Sequence, residues 1–179
     1  EMYLADGAGS PLYLNQEVLA DANDPQLTLE LNRYNLEYNL SPQPLAGQPF
    51  ARTEEEMLAK LKGLRQLVEA RGGQVLLTGI LPTLQPTDFG PECLTDQPRF
   101  HALVEQLIKR RGRAFEVDIN GDEPLQLSMA DIVLEGANTS FQVHYRVNPG
   151  EFADTFNAVQ LVTPLVLALS ANSPFFLQR

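Results

Sequence analysis

The most informative stretch of this sequence is residues 27–40, Leu27-Thr28-Leu29-Glu30-Leu31-Asn32-Arg33-Tyr34-Asn35-Leu36-Glu37-Tyr38-Asn39-Leu40. Apolar side chains occupy the odd positions as far as Leu31 and the even positions from Tyr34 onward. Alternation with a period of two is typical of a strand with one buried and one polar face. Because such a pattern changes phase only at a bulge or a turn, we expect one near Arg33.

The change of phase affects which side chains can meet. Glu30 and Glu37 are seven positions apart and would face opposite sides of an unbroken strand, but a bulge or turn lets both reach the polar face. We expect that face to carry Glu30, Asn32, Asn35, Glu37 and Asn39. It is rich in the oxygen ligands that Mg²⁺ and Mn²⁺ prefer. A face of ordinary solvated polar groups is the alternative.

A second alternating stretch covers residues 140–147, Ser140-Phe141-Gln142-Val143-His144-Tyr145-Arg146-Val147. The pattern predicts a strand whose polar face carries His144 together with Ser140, Gln142 and Arg146. Gln, His and Arg in a row suit an anionic, metal-bridged ligand, and carboxylates with one imidazole suit Mg²⁺ or Mn²⁺. We therefore expect His144 to share a concave surface with Glu30 and Glu37. The same pattern also fits a half-buried sheet without a ligand.

The other periodic segments predict three helices and two further strands. The first helix is expected to open at a capping box of Thr53 and Glu56, and the second near Asp96. The third is expected to open at Asn148-Pro149, with Pro164 kinking or dividing it. Strands are predicted at residues 75–80 and 115–119. Clean alternation is typical of antiparallel sheets, so the predicted class is α+β, with helices on the apolar face.

Composition limits the function classes. The chain has 179 residues, 44% hydrophobic, which suits one domain over residues 1–179. Its formal net charge of −10 argues against nucleic acid and anionic membranes as partners. No apolar run approaches the roughly 20 residues that span a bilayer. With Cys93 as the one cysteine and two histidines, structural zinc is excluded and a reducing, cytoplasmic compartment is expected.

Five segments in order carry a family resemblance. They are residues 1–4, 30–37, 77–82, 138–144 and 168–175. Together they resemble the glutamate–cysteine ligase type 2 family, the carboxylate–amine ligases of the glutamine-synthetase-like superfamily. The Gln-x-His segment followed by a helix ending in Ala-Asn-Ser-Pro is the most specific part of the resemblance.

The resemblance implies an antiparallel sheet that curls into a funnel, with a polar inner face holding metal ions, ATP and an amino-acid carboxylate. It also implies the reaction, in which ATP phosphorylates the carboxylate and an amine then displaces phosphate to give an amide. Mg²⁺ or Mn²⁺ is the implied cofactor. The implied metal ligands are Glu1, Glu30, Glu37 and His144. The candidate substrate-binding residues are Asn138, Thr139, Ser140, Gln142 and Arg146.

The resemblance assigns no catalytic residue within this chain. Family members continue beyond the position of Arg179, so we expect the chain to be the N-terminal part of a longer ligase catalytic domain, which can be inactive alone. A non-catalytic ligand- or metal-binding domain on the same fold is the alternative. The identity of the amine and association into a homo-oligomer both remain open.

Overall fold

Helices and strands alternate irregularly along the chain in a computed structural model that describes residues 1–179. The elements are β1 (Met2–Asp6), α1 (Asn15–Ala22), β2 (Leu27–Leu29), β3 (Asn35–Tyr38), α2 (Pro49–Glu69), β4 (Gly73–Leu76), α3 (Pro98–Arg111), β5 (Phe115–Ile119), β6 (Leu125–Met129) and α4 (Phe152–Ser170). Short 3₁₀ turns lie at Pro86–Phe89, Pro91–Cys93, Glu135–Ala137 and Pro149–Glu151. The protein belongs to the α+β class, as predicted.

The change of phase in residues 27–40 is a hairpin turn, as predicted. β2 and β3 pair antiparallel, with Thr28 opposite Glu37. The Asn35 N–H donates to the Asn32 carbonyl at 2.9 Å and closes the turn around Arg33. The sheet order is β2-β3-β1-β4, and every pair is antiparallel. β1 is therefore an inner strand, which brings the start of the chain between the hairpin and β4.

The core lies between this sheet and the helices that pack on it. Tyr3, Leu4 and Leu36 are fully buried on the sheet. α2 contributes the buried residues Leu61, Leu64 and Val68, whose spacing of three and four places them on one helix face. Burying such aliphatic side chains is the main force that stabilises this arrangement.

α2 starts earlier than the sequence predicts. It begins at Pro49, and the Thr53 hydroxyl donates to the Pro49 carbonyl at 3.0 Å, which is a bond inside the helix. The predicted capping box at Thr53 and Glu56 is therefore wrong. The fixed φ of proline suits the first helical position, so the helix gains a turn that the capping pattern did not indicate. α3 begins at Pro98, close to the predicted start near Asp96, and stops before Gly112, which has a φ of +66°.

Two predicted strands differ from the structure. β4 covers residues 73–76, so residues 77–80 lie outside it. Residues 140–147 form no strand, and Phe141 and Val143 are 66% and 74% exposed. No other strand pairs with this segment, so its alternation does not produce a buried and a polar face. By contrast, β5 has the predicted bounds and forms a two-stranded sheet with β6.

α4 packs little of its surface on the rest of the chain. The helix continues without a break through Pro164, so the proline does not divide it. None of its residues is buried, and Leu161 and Leu169 are 80% and 91% exposed. Residues 149–170 are long enough to cross a membrane and include an 18-residue stretch with a mean hydropathy of 1.4. This is contrary to the expectation that no apolar run in the chain is long enough to span a bilayer. Length and composition alone are weak evidence for a membrane span.

Candidate metal centre

Strand register brings three glutamates together at one end of the sheet. β1 and β3 pair with Met2 opposite Leu36, so extending that register by one residue places Glu1 opposite Glu37. Glu30 lies two residues after Thr28, the partner of Glu37, and therefore on the same face. One carboxylate oxygen from each of the three glutamates lies within 4.8 Å of the others. The structure thus joins residues that are far apart in sequence into one carboxylate cluster.

The electrostatics of this cluster favour a cation. All three glutamates are half-buried, and none of them forms an ion pair with a lysine or arginine. Burial, together with the nearby charges of Glu1 and Glu37, raises the pKa of Glu30 to about 7. Three carboxyl groups that have no cationic partner and offer oxygen ligands match the coordination chemistry of Mg²⁺ and Mn²⁺. The donor set therefore fits the divalent ion that the resemblance implies.

Two of the carboxylates are held by donors within the hairpin. The Thr28 hydroxyl donates to Glu37 Oε2 at 3.3 Å, and the Leu31 N–H donates to Glu30 Oε2 at 3.2 Å. Asn39 Nδ2 in turn donates to the Thr28 hydroxyl oxygen at 3.3 Å. Sequence reasoning missed Thr28, although its position opposite Glu37 follows once the turn near Arg33 is known. These neutral donors orient the carboxylates without cancelling their charge.

The third carboxylate is held by the predicted substrate segment. The Ser140 N–H donates to Glu1 Oε2 at 2.7 Å, and Gln142 Nε2 donates to Glu1 Oε1 at 3.3 Å. The Thr139 N–H donates to the Gly79 carbonyl at 2.8 Å, and Asn138 Nδ2 donates to the Glu135 carbonyl at 3.2 Å. Of the predicted substrate residues, Ser140 and Gln142 thus lie at the cluster. The side chains of Thr139 and Asn138 bind main-chain carbonyls instead.

His144 and Arg146 are not part of this cluster. His144 is exposed, and the group of ligand atoms within 4.8 Å of one another contains Glu1, Glu30 and Glu37 without it. Arg146 is also exposed and lines an open cavity of about 390 Å³ near the start of α4, together with Tyr145 and Glu151 among others. The roles of these two residues stay predictions.

Two asparagines expected on the polar face lie in the core. Asn32 and Asn35 are 0% and 1% exposed. Asn32 Nδ2 donates to the Val133 carbonyl at 2.9 Å and to the Tyr34 hydroxyl at 2.7 Å. Placing both on an open ligand face was therefore wrong. Asn32 lies in the turn, where the two-residue alternation does not apply, whereas Asn35 begins β3 opposite the fully buried Tyr3.

The fold and this site define an α+β protein with a candidate divalent-cation centre made of carboxylates. The chain belongs to the glutamate-cysteine ligase family 2, whose model matches residues 2–177. This membership indicates a ligase and, in general terms, ATP-dependent carboxylate–amine ligation. A search of curated proteins and a search of solved structures each gave no match.

Proposed function

We propose that the protein joins a glutamate-like carboxylic acid to an amine in a reaction that converts ATP to ADP and inorganic phosphate. In the first step an oxygen of the acid attacks the γ-phosphorus, and ADP leaves. In the second step the amine attacks the acyl carbon, inorganic phosphate leaves, and the nitrogen loses a proton. The observation that carries the proposal is the cluster of Glu1, Glu30 and Glu37 in a chain that the family model matches over residues 2–177.

The charge of the cluster explains why such a reaction would depend on a divalent cation. ATP and the acid are both anionic, so a cluster of glutamates without a cationic partner would repel them. When bound, a divalent ion would supply positive charge that neutralises the charge developing during phosphoryl transfer. In this proposal Glu1, Glu30 and Glu37 hold that ion, and His144 is the proposed additional ligand.

The substrate side of the proposal rests on two groups. Arg146 forms no ion pair and lines the open cavity beside α4, so it is the proposed contact for an anionic group of a substrate. Asn138, Thr139 and Ser140 form the loop that approaches Glu1, and they are proposed to border the acid. We propose the cytoplasm as the compartment, since ATP and free amino acids are the proposed substrates.

The function is tested by measuring ADP release with ATP, Mg²⁺, glutamate and a panel of amines. We expect continued ADP release over many turnovers only when acid and amine are both present, and hydroxylamine in place of the amine should trap the acyl phosphate as a hydroxamate. Glu37→Gln should abolish release. Glu116→Gln is the matched control, because Glu116 also accepts a hydrogen bond from a hydroxyl, that of Ser128 at 2.8 Å, but is exposed on β5.

A protein that binds Mg²⁺ but gives neither ADP nor hydroxamate with any acid and amine would contradict the ligase proposal. That result would favour the alternative of a non-catalytic metal- or ligand-binding domain. ADP release that Glu37→Gln leaves unchanged would instead retain the ligase and contradict the role of the cluster.

A further inference from the structure

We propose that Gln142 is a positioning residue that holds the Glu1 carboxylate in place for the metal ion. This inference rests on the proposed function, because it assumes that Glu1 is a ligand. It assigns to Gln142 a role different from the substrate contact that the family resemblance implies.

The two oxygens of the Glu1 carboxylate have separate donors. Ser140 donates through its main-chain N–H to Oε2 at 2.7 Å, and Gln142 donates through Nε2 to Oε1 at 3.3 Å. The main-chain nitrogen of Glu1 also donates to the Ser140 carbonyl at 3.0 Å. The segment from Ser140 to Gln142 therefore holds both the main chain and the side chain of Glu1.

The Glu1 side chain needs such support because it lies next to two like charges. The pairing of Met2 with Leu36 places Glu1 opposite Glu37 at one end of the sheet. Repulsion from Glu30 and Glu37 favours rotation of its side chain away from the cluster. A neutral amide opposes this rotation and leaves the negative charge available to a cation, whereas a lysine or arginine would neutralise it.

The donor capacity of Gln142 argues against a simultaneous substrate contact. Its amide nitrogen has two hydrogens, and it lies 3.3 Å from Glu1 Oε1 and 3.2 Å from Ser140 Oγ. Both donors are therefore in use within the protein. To donate to a substrate carboxylate, Gln142 would have to release Glu1 or Ser140.

The test is the affinity for Mn²⁺ alone, measured by electron paramagnetic resonance without ATP or acid. Substitution of residues that hold metal ligands typically lowers metal affinity 10–100-fold, and we expect about tenfold for Gln142→Ala because the Ser140 N–H remains. Gln142→Met keeps the length of the side chain without its donors and should give the same loss. Gln126→Ala is the matched control: Gln126 Nε2 lies 3.4 Å from Asp118 Oδ1, on the β5–β6 sheet, and its loss should leave the affinity unchanged.

A double-mutant cycle tests whether Gln142 acts on metal binding through Glu1. In a Glu1→Gln background, Gln142→Ala should cause no further loss of Mn²⁺ affinity, because the two residues act through one contact. An equal loss in both backgrounds would overturn the inference. So would an unchanged Mn²⁺ affinity in Gln142→Ala combined with a higher KM for the acid, which would identify a substrate contact and leave the proposed ligase intact. A wild-type protein that binds no Mn²⁺ would overturn both the metal centre and this inference.

Discussion

Glu37 lies directly opposite Thr28 in the hairpin of β2 and β3, and the Thr28 hydroxyl donates to Glu37 Oε2 at 3.3 Å. Threonine is common on strands, so its presence there is ordinary. Its pairing with a glutamate of the carboxylate cluster is specific to this hairpin. The strand register thus places the proposed metal ligand Glu37 opposite a hydroxyl that orients its carboxylate.

This pairing predicts the effect of Thr28→Val. Valine keeps the branched shape and the strand preference but cannot donate to Glu37, so we expect Mn²⁺ affinity to fall about tenfold, as for other groups that hold metal ligands. Ser128→Ala is the control, because it removes a hydroxyl that donates to Glu116 at 2.8 Å on the exposed β5–β6 sheet. Equal affinities of Thr28→Val and the wild type would show that Glu37 needs no such support.

The raised pKa of Glu30 predicts how stability depends on pH without metal. The pKa rises from an ordinary value of 4.5 to about 7 in the folded protein, chiefly because of burial. Between these two pKa values the folded form keeps a proton on Glu30 that the unfolded form loses. The protonated Glu30 therefore stabilises the folded form fully below about pH 4.5, and this stabilisation is lost as the pH rises through about 7. We expect the melting temperature in EDTA to fall over that range more steeply for the wild type than for Glu30→Gln.

The titration of Glu30 should also affect metal binding, but a higher pH should strengthen metal binding while it lowers the stability of the metal-free protein. A cation displaces the proton of Glu30, so Mn²⁺ affinity should rise as pH approaches about 7. Identical pH profiles of stability in the wild type and Glu30→Gln would contradict the assignment of the raised pKa to Glu30.

The hairpin shows how far local pattern predicts this fold. The alternation of residues 27–40 was sufficient to predict a turn near Arg33 and to place Glu30 and Glu37 on one face. It could not place Asn32 in the core, because the Val133 carbonyl that accepts its hydrogen bond is 101 positions away. The strand predicted at residues 140–147 was wrong for a similar reason: alternation is local, but a strand needs a partner.

The candidate site was predictable to a smaller extent. The position of Glu1 opposite Glu37 depends on the pairing of β1 with β3, which no local pattern reveals. The family resemblance implies that Glu1 is a ligand, and the structure shows its carboxylate bound by Ser140 and Gln142. The contact of Gln142 with Glu1 joins residues 141 positions apart, and no periodicity or motif indicated it.

The buried contacts of Asn15 predict that this residue stabilises the folded protein independently of any metal ion. This buried side chain lies at the start of α1, and its Nδ2 lies 2.8 Å from Thr95 Oγ1 and 3.2 Å from the carbonyls of Asn32 and Asn35. Asn15→Ala leaves these buried acceptors without that donor, which should cost about 2–3 kcal/mol in the free energy of unfolding.

Urea denaturation measures this loss. Asn157→Ala is the control, because Asn157 is exposed on α4, and such surface changes usually stay within about 0.5 kcal/mol. A loss in Asn15→Ala no larger than that of the control would show that the buried acceptors find other partners.

The final prediction concerns metal and stability together. Mg²⁺ or Mn²⁺ that binds only the folded form stabilises it by about 2.7 kcal/mol at a hundredfold excess over Kd. For a chain of this size that corresponds to about 5 °C or more in melting temperature. Glu37→Gln should remove most of this rise, because one ligand is lost. It should also raise the metal-free melting temperature slightly, because it relieves repulsion with Glu1 and Glu30.

Glu116→Gln should keep the full rise in melting temperature on addition of metal. NaCl at matched ionic strength separates specific binding from screening: if it shifted the wild type and Glu37→Gln as much as Mg²⁺ does, the three glutamates would be solvated side chains without a metal site.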